Sequence, residues 1–126
     1  MAYLESSAIT LFTAESISAG SVFTSAVQNE DKAIYGILQA AVTFATSTAS
    51  GLVTIDVLTS ADNTNFDTKP ESDYTFSLNP SDMDESFLVR RSFGFNLQGM
   101  KYAKAQVTNN DSSAITLTLK HVKATI

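Results

Sequence analysis

The residues able to do chemistry in this 126-residue chain are few. His121 is the single histidine, so a Ser–His–Asp arrangement would have to use it, and no nucleophile-elbow motif accompanies it. It follows Lys120 and precedes Lys123 by two residues, a setting expected for a surface side chain. The run Asp62-Asn63-Thr64-Asn65-Phe66-Asp67 places side-chain oxygens at Asp62, Asn63, Asn65 and Asp67. Calcium takes six to eight oxygens from such loops, so these four are a candidate calcium set, although the glycine and distal glutamate of an EF-hand are missing. Asp and Asn are also the ordinary residues of tight turns. A third cluster, Asp82, Asp84 and Glu85, could hold a metal or act as a carboxylate pair on a sugar, but it flanks a turn, where solvated charge is the rule. The absence of Cys removes disulfides, thiolate nucleophiles and Cys-ligated zinc. A protein with one His and no Cys has little with which to run acid–base or nucleophilic work at neutral pH, so the expectation is a non-enzymatic protein without a cofactor.

The elements that must position these residues are strands. Residues 100–109 alternate apolar and polar, a polar turn follows at 110–113, and residues 114–126 alternate again. The pattern predicts an antiparallel hairpin with Ala103, Ala105, Val107, Ile115, Leu117 and Leu119 on its inner face. Val122, Ala124 and Ile126 lie in the opposite phase, and one extra residue near Lys120-His121-Val122, a β-bulge, would repair the slip. Residues 52–60 are the clearest strand, with Val53, Ile55 and Val57 inward. Residues 33–45 carry Leu38, Ala40, Val42 and Phe44 on one side. The Ala-rich part of that segment also tolerates a helix, but the period of two favours a strand, and residues 46–51 read as a hairpin connection. Residues 85–96 form another strand with Phe87, Val89, Phe93 and Phe95 on one face, where Arg91 marks either a rim or a bulge. Shorter strands are expected at 8–13, 21–27 and 74–78, with a charged loop at 28–32 and a turn around Pro80.

About eight strands with no convincing helix predict one all-β domain, an antiparallel β-sandwich or jelly roll. Its length suffices for a core without staples. Residues 1–12 are either an edge strand or an extended N-terminal arm that adds a strand to a neighbour. Residues 1–7 lack a basic region followed by a long apolar run, and no apolar run approaches the ~18–20 residues that span a bilayer. The expectation is synthesis and folding in a cytoplasm, with no membrane partner.

The net charge of −5 argues against general nucleic-acid binding. Its distribution is uneven. Residues 1–86 hold 12 acids against Lys32 and Lys69, or −10, whereas residues 87–126 hold Arg90, Arg91, Lys101, Lys104, Lys120 and Lys123 against Asp111, or +5. Either the fold interleaves the two halves, or the molecule has a basic face suited to an acidic partner or to copies of itself. Phe66 is an aromatic in a polar loop. It either plugs the end of the sandwich or stands out as an anchor for a partner or a sugar ring.

The run Gly51-Leu-Val-Thr-Ile-Asp-Val-Leu-Thr-Ser-Ala-Asp-Asn-Thr-Asn-Phe-Asp67 resembles the strand followed by Ser-x-Asp-x-x-x-Phe found in small virion proteins of tailed bacteriophages. Lys101-Tyr-Ala-Lys-Ala-Gln-Val-Thr-Asn-Asn110 with Ile115-Thr-Leu-Thr-Leu119 is similar to their closing hairpin. The resemblance spans residues 33–126 and is nearest to the jelly-roll capsid cement, or decoration, proteins. It implies a structural protein on the capsid exterior that binds the major capsid protein lattice as a dimer or trimer. The partner-binding residues expected on that reading are Arg90, Arg91, Lys101 and Lys104, with Phe66 as an apolar anchor. Galactose-binding-like domains share the same closing style, so a carbohydrate-binding module of a tail or fibre is the alternative, and another head or tail subunit a third.

Overall fold

The computed structural model describes residues 4–68 and 74–125. Among these residues there are ten strands: β1 (Leu4–Glu5), β2 (Ile9–Ile17), β3 (Val22–Thr24), β4 (Gln28–Asn29), β5 (Ala33–Thr43), β6 (Val53–Ser60), β7 (Thr75–Leu78), β8 (Leu88–Asn96), β9 (Tyr102–Asn109) and β10 (Ile115–Thr125). A 3-10 turn lies at Pro80–Asp82, which Asn79 caps by accepting the Ser81 N–H, and Tyr74 is also in 3-10 conformation. Segment 33–45 is a strand, β5. No helix among the described residues is long and apolar enough to cross a membrane.

All pairings are antiparallel, and they make two sheets. The first runs β2-β10-β5-β8, with β1 continuing the β2 edge along the far end of β10. The second runs β3-β9-β6-β7, with β4 following β3 along β9. Counting β1 with β2 and β4 with β3 gives two sheets of four strands. Successive strands change sheet at every step except β6 to β7, which is the order of a jelly roll.

The inner faces follow the period of two. Ala103, Ala105 and Val107 of β9 and Ile115, Leu117 and Leu119 of β10 are buried, as are Leu38, Ala40 and Val42 of β5 and Val53, Ile55 and Val57 of β6. The small residues Ala40, Ala103 and Ala105 lie beside the bulky Phe44 and Phe95 in one core. At the β7–β8 margin Phe76 stacks on Phe93, with ring centroids 4.6 Å apart.

Several expectations are corrected. The segments 100–109 and 114–126 do form strands, but they are not a hairpin: β9 bonds to β6 and β10 to β5, so turn 110–113 carries the chain from one sheet to the other. Residues 46–51 likewise bridge the sheets between β5 and β6 instead of closing a hairpin. The apolar phase of β10 does change, with Leu117, Leu119 and His121 buried in one phase and Ala124 in the other, but no bulge at 120–122 of the β10–β5 ladder produces it. The β10–β5 register runs unbroken from Thr116↔Thr43 to Ala124↔Tyr35, and His121 takes the buried position after Leu119. The irregularity is on the neighbour. Between Leu117↔Glu15, Leu119↔Phe12 and Lys120↔Thr10, β2 uses an extra residue at each step, and Ala14 takes a φ of 45° there. Phe87 is not on an inner face. It is exposed at the turn before β8, with a φ of 63°. Residues 4–5 and 9–12 pair with the chain's own β10, so that part of the N-terminal segment is an edge strand and not a free arm.

Candidate functional site

The basic set expected to bind a partner is divided between the two sheets. Arg90 follows the buried Val89 on β8, so it projects from the outer face of the first sheet. Arg91 lies at the rim. The β8–β5 register passes it without a shift, which excludes a bulge, and its guanidinium lies 3.7 Å from Asp82 with both side chains about half exposed. An ion pair so open to water contributes little. Lys104 alternates with buried Ala103 and Ala105, so it stands on the outer face of the second sheet. Lys101 is exposed just before β9.

The structure brings two of the expected residues together. Lys104 Nζ lies 4.2 Å from the centroid of the Phe66 ring. A cation held over an aromatic face is an attractive contact in its own right. Phe66 is half-buried there, against the outside of the second sheet, because loop 61–68 folds back along β6: the Asp67 N–H donates to Thr59 O, while Thr59 N and Oγ1 both donate to Asp67 Oδ2. Leu58, the cross-strand neighbour of Lys104, is buried at the same place. The result is a small cationic and apolar prominence.

The same loop holds the candidate calcium ligands in hydrogen bonds. Asp62 Oδ1 accepts from Ser60 Oγ and from the N–H groups of Thr64 and Asn65, and its Oδ2 accepts from Asn65 Nδ2. These bonds, the Asn65 and Thr64 backbone donors first, hold the Asp62 carboxyl well below the usual carboxylate range. Its oxygens organise a turn, in which Asn63 takes a φ of 63°. Among the described residues no three His, Cys, Asp or Glu side chains gather as a metal site. Asp82 and Asp84 are similarly engaged, and Glu85 is exposed. Asp82 faces Arg91, and Asp84 Oδ1 accepts the N–H groups of Ser86 and Leu88.

Sequence reasoning missed a buried pair. His121, expected at the surface, is 3% exposed, and Glu30, in the segment expected to be a charged loop, is 0% exposed. Nε2 of His121 lies 2.9 Å from Glu30 Oε1, and Glu30 Oε2 has no hydrogen-bond partner. They border a cavity with about 10 Å³ open to the centre of a water molecule. Gly36 makes this possible. A Cβ at that position would come within 2.8 Å of the His121 ring and 2.7 Å of Phe95, which itself stacks on His121 with centroids 5.8 Å apart. The sequence signal was the phase: His121 continues the spacing of Leu117 and Leu119.

No protein-family model matches the chain, and no curated protein matches its sequence.

Proposed function

We propose that the chain is a non-enzymatic structural protein of a bacteriophage virion, acting as a cement or decoration protein on the outside of the capsid. The observation that supports this best is the placement of the cationic side chains. Arg90 stands on the outer face of one sheet, and Lys104, with Phe66, on the outer face of the other. A sandwich with a contact on each side is suited to sitting between two neighbouring acidic surfaces and bracing them. Each contact is modest, and repetition over a lattice multiplies it into avidity. The jelly-roll order and the resemblance of residues 33–126 to small virion proteins point the same way.

The test is co-sedimentation of the purified chain with tailed-phage capsids stripped of their decoration protein, preceded by light scattering. The expected result is a dimer or trimer that binds saturably and is released by salt, with Arg90→Glu and Lys104→Glu each lowering occupancy. A monomer that leaves the particles bare would overturn the reading.

The carbohydrate-binding alternative gains no support from loop 62–67, because the Asp62 and Asp67 carboxylates already accept protein donors.

A further inference from the structure

The outermost strands of a sheet present backbone groups that another chain can bond, and proteins usually blunt such edges. Most edges of this sandwich are blunt. β2 carries two register shifts against β10. β3 and β4 have three and two residues, and β7 has four. β8 differs. It has nine residues, and its register with β5 runs from Tyr35↔Asn96 to Thr43↔Leu88 without a shift.

The hydrogen bonds at its two ends fix which backbone groups face out. Phe44 N–H donates to Phe87 O, and Leu97 N–H donates to Ile34 O, so the odd-numbered residues of β8 address β5. The even-numbered ones address the open side. Leu88 is covered there, because Asp84 N–H donates to Leu88 O and Asp84 Oδ1 accepts the Leu88 N–H. Among the described residues nothing bonds to the backbone N–H and C=O of Arg90, Ser92, Gly94 and Asn96, and these residues are exposed. Gly94 adds a second sign. A Cβ there would meet nothing within 4 Å, and its φ is not positive, so neither packing nor backbone conformation within the chain calls for a glycine. A glycine inside a strand weakens it and often marks the close approach of another backbone.

Two β8 strands can meet antiparallel, with both bonds exchanged at each facing pair, when even-numbered residues lie opposite even-numbered ones. A two-fold axis at Arg90 sets Arg90 against itself, and like charges directly opposite repel. An axis at Ser92 sets Asn96 of the second copy against Leu88, where Asp84 already sits. An axis at Asn96 runs both strands into the turn that the Met100 N–H closes on Leu97 O. An axis at Gly94 meets none of these obstacles: Gly94 faces Gly94, Ser92 faces Asn96 and Arg90 faces Gln98. On the inner side Phe93, half-buried in the single chain, faces Phe95 of the second copy. The arginines of the two copies lie at opposite ends of the pairing.

We propose that two copies of this chain pair through β8, antiparallel and centred on Gly94, so that their first sheets become one continuous sheet across a two-fold axis. Arg90 and Lys104 keep their places on the outer faces in such a dimer. The pairing rests on the strand edge and not on the capsid reading.

The test is amide exchange of the whole wild-type chain over a range of concentrations, with light scattering on the same samples. The expected result is a dimer whose formation slows exchange of the Ser92, Gly94 and Asn96 amides by roughly tenfold or more, while the Val89, Arg91 and Phe93 amides are protected at every concentration. Gly94→Lys sets two like charges face to face at the axis and fits the single chain, where its Cβ meets nothing. It should weaken the dimer several-fold, with the loss shrinking in high salt. Gly94→Pro removes the donor at the axis, an N–H that takes no part in the β5 ladder, and should abolish the dimer. A chain that stays monomeric to about 1 mM, a trimer, or a dimer whose Ser92, Gly94 and Asn96 amides exchange freely each overturns the pairing. Unchanged dimerisation in Gly94→Lys overturns it as well. A monomer that still coats capsids overturns the pairing alone, whereas a β8 dimer that leaves them bare overturns the capsid reading alone.

Discussion

Asp111 holds Gly51 across the end of the sandwich: its Oδ1 accepts the Gly51 N–H at 2.9 Å and the Ser50 N–H at 3.2 Å, while its Oδ2 accepts from Ser113 N. The carboxylate therefore ties the β5–β6 connection to the β9–β10 connection. Asn109, beside it and fully buried, donates through Nδ2 to Ile17 O, Ser18 O and Ser113 O, and so adds the end of β2 to the same knot. Three sheet-changing connections are fixed by two side chains.

Removing the carboxylate should be felt strongly, because it leaves backbone donors unpaired in a place closed to water. Asp111→Ala is expected to cost about 2–4 kcal/mol, read as a lower denaturant midpoint at unchanged m-value. A loss below about 0.5 kcal/mol would show that water replaces the carboxylate freely.

The same residue gives an acid limb to stability. Backbone donors, that of Gly51 first, hold the Asp111 carboxyl below its ordinary value of 3.8. The unfolded chain then binds the proton more readily than the folded one. The stabilisation is fully present above the unfolded value and is lost as pH falls from there through the lower folded value. Asp111→Asn should reduce the slope of unfolding free energy against pH in that acid window and leave it unchanged near neutrality. Equal acid slopes in the two proteins would contradict the assignment.

Gly36→Ala tests the space beside His121. The added methyl meets the tips of Phe95, His121 and Leu97 inside a packed core, none farther than 2.9 Å. Overpacking of this kind is expected to cost about 1–3 kcal/mol despite the better strand propensity of Ala. Thermal unfolding should also show a change in the His121 ring environment by NMR. A variant as stable as the parent would mean that the three rings and branches move aside at no cost.

Deletion of residues 1–12 should destabilise the domain. It removes β1 and the first part of β2, stripping β10 of its partners from Phe12 outward at Leu119, Lys120 and His121. The expected outcome is a melting temperature lower by roughly 4–8 °C or more, as for a loss of about 1 kcal/mol in a domain of about this size. An unchanged melting temperature would restore the picture of a free arm.

Calcium and a chelator should each leave the melting temperature unchanged, because the Asp62 carboxylate already accepts backbone and side-chain donors. A rise with millimolar calcium would show that the loop rearranges to bind it.

What the sequence disclosed was which side of each strand faces in. Leu38, Ala40 and Val42, or Val53, Ile55 and Val57, announce their faces through a period of two that is local to each segment. Partnership is not local. Nothing in residues 100–126 distinguishes a hairpin from two strands that turn a corner into different sheets, since both bury the same alternate side chains. His121 was legible by phase but concealed by its residue type and by the neighbouring lysines. Glu30 carried no signal at all, because its burial depends on a histidine 91 positions away in the chain. Of the candidate contacts, Phe66 and Lys104 meet only because loop 61–68 doubles back on β6, a path set by Asp67 and Thr59.

The position of β10 has a consequence for the order of assembly. It lies between β2 and β5, and Leu4 at one extreme of the described chain pairs with Thr125 at the other. As the polypeptide leaves the ribosome, β2 has no sheet to join and β5 has β8 alone until residues 115–125 emerge. Such long-range closure is slow compared with local hairpin formation and leaves apolar strand faces uncovered while it waits. Ribosome-stalled chains ending before residue 115 should accordingly remain open to protease, and those displaying residue 125 clear of the exit tunnel should not.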